Sequence, residues 1–258
     1  MEGKEQEVNR FNSIAEFVNG SILLVDKPLT WTSFDAVNRI KSFVKRNFTI
    51  PVNDQGHDQR FKIGHAGTLD PLATGLLVIC TGKMTKRIDD IMGGTKEYTG
   101  TIRFGQITPS FDLETEPDGD FQVDHLTLEI LQKQAAAMTG EQWQTPPAYS
   151  AKQVDGKRAY VSARKGLAIE IPKSRIVVES FKIESFDNMN AHFRIRCSKG
   201  TYIRTIAHEI GQNLGSGSHL TALRRTESAP FRIENALTMN EILERLDALK
   251  AKNEHVTN

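Results

Sequence analysis

The chain predicts an α+β fold: a mixed, largely antiparallel sheet flanked by helices. Three observations carry this expectation. Strand-like segments arrive in runs, as KEYTGTIRFG at 96–105 and then residues 175–187 and 191–198, where HFRIRC alternates apolar and polar side chains. Helical segments are interspersed, but strand and helix never alternate in the regular βαβ order of a parallel sheet. LLVIC at 76–80 is short, branched and bounded by Gly75 and Gly82, the pattern of a buried strand.

The remaining elements follow in order. Residues 1–20 read as a polar N-terminal extension in which Phe11, Ile14, Phe17 and Val18 recur at helical spacing, predicting a short docking helix. SILLVDKP predicts a strand. Ser33 is placed to cap a helix over FDAVNRIKSFVKRN, whose Phe34, Val37, Ile40 and Val44 form one apolar face and whose Lys45 and Arg46 suit its C-terminal end. Residues 47–60 read as loop, and Met84 to Met92 as a short helix ended by Gly93–Gly94.

Pro109 to Asp124 is an acidic loop, and Leu126 to Met138 a helix ended by Gly140. TPPAYSAKQVDGKRAYVSARKG mixes prolines, tyrosines and bases without one period, predicting an extended arm with a short helix. KGTYIRTIAHEIGQNLG carries a strand into a helix that buries Ile203, Ile206, Ala207 and Ile210. HLTALRRTESAPF reads as another strand. Thr238-x-x-Glu241 is a capping box for a last helix reaching Leu249, and KNEHVTN reads as a frayed tail.

Composition narrows the class. At 258 residues with 38% hydrophobic and 25% charged content, the chain suits a soluble protein with one catalytic domain. The N-terminus lacks the apolar stretch of a signal peptide, and no run approaches a membrane span, so a cytoplasmic protein without a membrane partner is expected. Cys80 and Cys197 both sit in apolar strand-like segments, as buried reduced thiols do. The net charge is only +1, but Lys152 to Arg232 carries 15 Lys and Arg against 7 Asp and Glu. Ser110 to Gln132 carries seven acids and no Lys or Arg. Such polarisation suits a polyanion held on one face, although scattered solvated charges would give the same totals.

Several chemistries are set aside. The sequence lacks G-x-x-x-x-G-K-[ST], G-x-G-x-x-G, C-x-x-C and G-x-S-x-G, and His57 and His65 have no ligand spacing. Seven histidines could still assemble a metal site in space. What stands out is Asp70 in FKIGHAGTLDPLATGLLVICTGK. Gly64, Gly67 and Thr68 precede it, and Pro71 holds it out of a helix at the mouth of a core strand. Spacing alone leaves two readings open, a tight turn capped by its own aspartate and a loop that presents a reacting carboxylate.

Five segments in order, DKPLTWTSFD, GHAGTLDPLATGLL, KEYTGTIRFG, SKGTYIRTIAHEIG and HLTALRRT, resemble the TruB family of bacterial tRNA pseudouridine-55 synthases. The resemblance runs from about Ile22 to about Leu243. It implies the pseudouridine synthase fold with a bent sheet, a catalytic domain over 21–250, and an RNA-contacting insertion over 144–170. It implies a reaction that turns a T-loop uridine of tRNA into its C-glycoside isomer on a flipped-out base and needs neither a metal nor a cofactor. Asp70 corresponds to the catalytic aspartate, Tyr98 to the tyrosine stacked on the uracil, and Arg204 to the arginine paired with that aspartate.

His65 corresponds to the residue that enters the loop as the nucleotide leaves. Tyr202 and Leu223 match pocket walls, and Lys27 a basic position in structural support or phosphate contact. Asp112 aligns loosely with the family's acidic loop. The implied partner is the T-arm of tRNA, bound by a monomer with no protein partner. Many members carry a further C-terminal RNA-binding PUA domain. The residues after Leu243 are too few for one, so the basic insertion is expected to carry more of the grip and affinity to fall steeply with salt. The rival readings are a non-catalytic RNA-binding or tRNA-folding protein on the same scaffold, a guide-dependent synthase subunit, and a retaining glycosidase.

Overall fold

The computed structural model describes residues 8–49, 61–150, 152–154, 157–159 and 171–254. The chain divides into two compact units, 1–94 with 225–258, and 95–224.

The first unit opens with helix α1 (Ile14–Gly20), which buries Ile14, Phe17 and Val18. Strand β1 (Ile22–Lys27) follows, then helix α2 (Ser33–Asn47). The cap of α2 is Thr32 rather than Ser33. Thr32 and Asp35 close a reciprocal capping box, so the helix starts one residue earlier than expected and Ser33 turns inward. Phe34, expected on the apolar face, is 64% exposed, and Ala36 takes its place against the core.

Strands β2 (Ile63–Ala66) and β3 (Ala73–Thr81) form an antiparallel hairpin, with β1 antiparallel on the other edge of β3 from Ile22↔Cys80 to Lys27↔Gly75. β3 is buried almost throughout, as its apolar run predicts, and with Ile22, Leu24, Ala66 and Ile91 it forms a core. Residues 82–87 form a 3-10 turn that leads into helix α3 (Ile88–Met92), ended by Gly93 as expected.

The second unit begins with β4 (Lys96–Phe104). The acidic segment after it forms neither helix nor long strand. Helix α4 (Leu128–Ala137) leads into β5 (Gly140–Gln144), a strand that GEQWQ does not announce by alternation. Of the insertion at 144–170, a short hairpin of β6 (Gln153–Val154) and β7 (Lys157–Arg158) is described. Residues 151, 155–156 and 160–170, including the short helix expected there, lie outside the described residues.

Strands β8 (Ser174–Asp187) and β9 (Asn190–Cys197) pair antiparallel, with β4 on the far side of β9 and β5 on the far side of β8. Helix α5 (Ile203–Asn213) buries the four predicted residues against this sheet's core, which includes Ile102, Phe104, Phe181 and Phe193. Strand β10 (Ser218–Ser228) begins in the second unit and ends in the first, where β11 (Phe231–Arg232) pairs back on it. β12 (Leu237–Thr238) lies parallel to β1, so the pairing is mixed but mainly antiparallel. Helix α6 (Met239–Glu254) carries the predicted Thr238–Glu241 capping box and runs five residues past Leu249, since nothing in KAKNE breaks it. Among the described residues no helix is long and apolar enough to cross a membrane.

Candidate active site

In the first unit the turn between β2 and β3 presents Asp70, and its backbone is held from both sides. The Ser33 hydroxyl accepts the Leu69 N–H at 2.8 Å and donates to the Leu69 carbonyl at 3.2 Å. The Pro71 carbonyl accepts the Thr30 N–H at 2.9 Å, and the Asp70 carbonyl accepts the Ala73 N–H at 3.1 Å to close the turn. Pro71 fixes its own φ, and Gly67 at φ +94° lets the chain enter in a left-handed conformation. Asp70 itself is half-buried.

Lys27 is fully enclosed at 0% exposure. Its ammonium donates to the carbonyls of Pro28 at 3.0 Å, Trp31 at 2.5 Å and Pro71 at 3.5 Å. Burial pushes its pKa down to about 8, against the opposing pull of the Asp70 carboxylate. Lys27 is thus a pin beneath the turn. His65 sits on β2 opposite Ile79. Burial first, and the Arg225 charge second, lower its pKa and keep the imidazole neutral, and its Nδ1 is buried without a hydrogen-bond partner. Arg225, not singled out by the sequence, is buried beside this turn. Its Nε donates to the Leu76 carbonyl at 2.7 Å and its Nη2 to the Gly67 carbonyl at 3.1 Å.

In the second unit Tyr98 lies on β4 opposite Ile195, half-buried against the apolar core, and Leu223 on β10 packs against the same core. Gly100 lies two residues on. A Cβ there would stand 2.3 Å from the Ala222 carbonyl oxygen and 2.8 Å from the Phe193 ring, so the close approach of β4 and β10 requires glycine. Tyr202 is the N-cap of α5. The Gln144 side chain, at the end of β5, brackets it, accepting the Tyr202 N–H at 2.8 Å and donating to its carbonyl at 3.1 Å.

Arg204, the second residue of α5, is only 3% exposed. Its Nη1 donates to the Ser110 carbonyl at 3.3 Å, its Nη2 to the Tyr149 carbonyl at 2.9 Å, and its Nε lies 3.6 Å from the Asp112 carboxylate. One acid of the loop, Asp112, is therefore tied to Arg204, while Glu114, Glu116, Asp118, Asp120 and Asp124 are exposed. Phe111, at φ +65°, stacks on the His208 ring at 3.9 Å and accepts the Leu220 N–H through its carbonyl at 2.9 Å. Burial lowers the His208 pKa, so this stack is made with a neutral imidazole.

Thus Lys27, His65 and Asp70 gather around one turn of the first unit. Tyr98, Tyr202, Arg204 and Leu223 belong to the second. Ser33, Gln144 and Arg225 act on the backbone of these segments, and only their long-range hydrogen bonds reveal it. Among the described residues no cluster of His, Cys, Asp and Glu is arranged to hold a metal ion.

A family model described as TruB family pseudouridylate synthase (N terminal domain) matches residues 56–203. A second, tRNA pseudouridylate synthase B C-terminal domain, matches residues 204–256. The tRNA pseudouridine synthase B of Flavobacterium johnsoniae is 46% identical over 231 residues, which cover 90% of this chain and 98% of that protein. The protein of the same name from Chloroherpeton thalassium is 44% identical over 240 residues, covering 93% and 95%. Among solved structures, a chain of a Cbf5-Nop10-Gar1 complex is similar, with a TM-score of 0.63 and 26% identity, covering 88% of this chain and 54% of that one. A chain of the archaeal box H/ACA sRNP Nop10-Cbf5 complex, at 22% identity and a TM-score of 0.60, covers 92% of this chain and 56% of that one, and likewise shares the fold. This chain spans about half the length of both solved chains.

Proposed function

The chain belongs to the TruB family of pseudouridylate synthases and has the pseudouridine synthase fold, and from this we propose that it isomerises uridine 55 in the T-loop of tRNA to pseudouridine with Asp70 as the reacting carboxylate. Curated relatives named tRNA pseudouridine synthase B, matched over nearly their whole length, support tRNA as substrate. The observation that carries the assignment of Asp70 is the turn itself. One half-buried acid is presented at the mouth of a core strand, and its neighbours Leu69 and Pro71 are both fixed through the backbone. A fixed backbone presents a carboxylate in one orientation, which is what attack on a bound nucleotide requires.

The reaction breaks the N1–C1′ bond, rotates the uracil and joins C5 to C1′, with the C5 proton lost and a proton taken up at N1. It is an isomerisation, balanced without an oxidant or reductant. The Asp70 carboxylate serves equally in addition to C6, in attack on C1′ or in removal of the 2′ proton. The buried target base is first flipped out of the folded T-loop, at a cost of a few kcal/mol. The family resemblance assigns Tyr98 to stacking on the uracil and Arg204 to the positive charge that serves the catalytic aspartate. It assigns Tyr202 and Leu223 to the pocket wall, and His65 to the space that the departing nucleotide leaves. A neutral imidazole suits that last role, since it stacks on bases without adding charge. Lys27 acts as a positioning residue beneath the turn. The protein acts as a monomer on the T-arm, with the basic segment 144–170 gripping the RNA.

The experiment uses an unmodified tRNA transcript tritiated at C5 of its uridines. Purified protein is expected to release tritium stoichiometrically from the T-loop uridine, and Asp70→Asn to release none. Tight binding without release would make the protein an RNA binder and Asp70 a turn residue.

A further inference from the structure

We infer that Arg225 is a positioning residue for the reacting carboxylate, a fork that staples the two ends of the turn bearing Asp70. The inference rests on the reading of Asp70 given above. Arg225 is 1% exposed and is the largest fully buried side chain of the described residues. Its Nε takes the Leu76 carbonyl at 2.7 Å and its Nη2 the Gly67 carbonyl at 3.1 Å. Gly67 precedes Asp70 and Leu76 follows it, so one rigid group spans the base of the turn.

Ser33 and Thr30 hold the backbone close to Asp70, whereas Arg225 fixes where the turn leaves and rejoins the hairpin. A guanidinium does this where an ammonium would not, because its donors are locked in one plane and meet two separated carbonyls at a fixed spacing. A Cβ at Gly67 would stand 3.5 Å from Nη1, an ordinary contact, so glycine is called for there by its φ of +94°.

The energetics argue that this residue does more than fill space. A buried guanidinium loses its hydration, and two carbonyl bonds offset that only in part. Its charge also acts against the protonation of both Lys27 and His65. A hydrophobic side chain would fill this volume at less cost, but it would leave the Gly67 and Leu76 carbonyls without these donors and the turn without its staple.

The test compares single-turnover tritium release by wild type, Arg225→Lys and Arg225→Gln, with tRNA affinity and folded fraction measured alongside. In both variants the rate per folded molecule is expected to fall on the order of tenfold to a hundredfold, because a small misplacement of a reacting group acts on the chemical step. Affinity for tRNA should stay within about twofold, since the side chain is buried and its hydrogen bonds run to the protein backbone. Amide exchange from Thr68 to Ala73 should quicken in Arg225→Lys while β1 is unchanged.

A wild-type rate per folded molecule, or a loss that tracks the folded fraction alone, overturns the inference. If neither variant folds, Gly67→Ala puts the same question from the carbonyl side. Alanine is strained at φ +94° and displaces that end of the staple with Arg225 intact, and an unchanged rate there also overturns it. Asp70→Asn separates the two claims. If it stays active, the assignment of Asp70 fails; if it is dead while the Arg225 variants turn over normally, only the staple fails.

Discussion

One hydroxyl satisfies both backbone groups of a residue thirty-six positions away: Ser33 Oγ accepts the Leu69 N–H at 2.8 Å and donates to the Leu69 carbonyl at 3.2 Å. Both residues are buried, so no water replaces either bond if the hydroxyl is lost. The first turn of α2 and the residue before Asp70 therefore move as one piece.

Ser33→Ala is expected to lower stability by about 1–3 kcal/mol, the cost of leaving buried backbone groups unpaired. It should also slow tritium release while leaving tRNA affinity intact. Denaturant unfolding and single-turnover assays check both parts, and a wild-type rate in the folded variant would show that the turn keeps its shape without this tie.

Lys27 gives a pH signature. Its folded pKa of about 8 lies below the ordinary 10.5, so between these values the unfolded chain holds a proton that the folded chain has released. Stability therefore rises with pH across that window, and below it this group contributes no slope. Subtracting the Lys27→Met profile from the wild-type profile should leave that rise. Asp70→Asn removes the carboxylate that opposes the shift, so the Lys27 ammonium should titrate lower still, as NMR of its Nζ would report.

Asp112→Asn keeps the shape of the residue beside Arg204 but removes its charge at 3.6 Å. Removing one partner of a buried pair is expected to lower stability by about 3–5 kcal/mol, with the Ser110 and Tyr149 carbonyls still accepting from the guanidinium. A denaturation midpoint equal to that of wild type would mean that the Asp112 charge contributes nothing to holding Arg204.

Cys80 and Cys197 are buried, and burial pushes each thiol up to about 11. Since the thiolate is the reactive form, the native protein should resist a disulfide-exchange reagent at mildly alkaline pH and yield both thiols on denaturation. Rapid labelling of either in the native state would place it on an opened strand.

Much of this architecture is legible in the sequence because it is local. The apolar run of β3, the alternation of β9 and the buried face of α5 at Ile203, Ile206, Ala207 and Ile210 follow from periodicity alone. The start of α2 is misread because Thr32 and Ser33 are both good caps, and only the reach of Asp35 back to Thr32 decides between them. β5 escapes notice because its polar residues are ordered by pairing with β8 and not by an apolar face of their own. Asp70 is visible through its glycines and proline. Arg225 is not, because a bond from Arg225 to Gly67 spans 158 positions and leaves no local pattern. The tie of Arg204 to Ser110, across 94 positions, is hidden in the same way.

The hydrogen bonds that Ser33, Lys27 and Arg225 make to the Asp70 turn all end on main-chain atoms: the N–H and carbonyl of Leu69 and the carbonyls of Gly67, Pro71 and Leu76. Such a frame reads the length of the turn and is blind to most of its lettering. Exposed Thr68 and half-exposed Leu72 can be exchanged without touching a single anchor. One residue added or removed between Gly67 and Leu76 would put the anchors out of step together. Tolerance in this segment is therefore governed by counting, and it leaves room for variation in what the turn displays but almost none in how long it is.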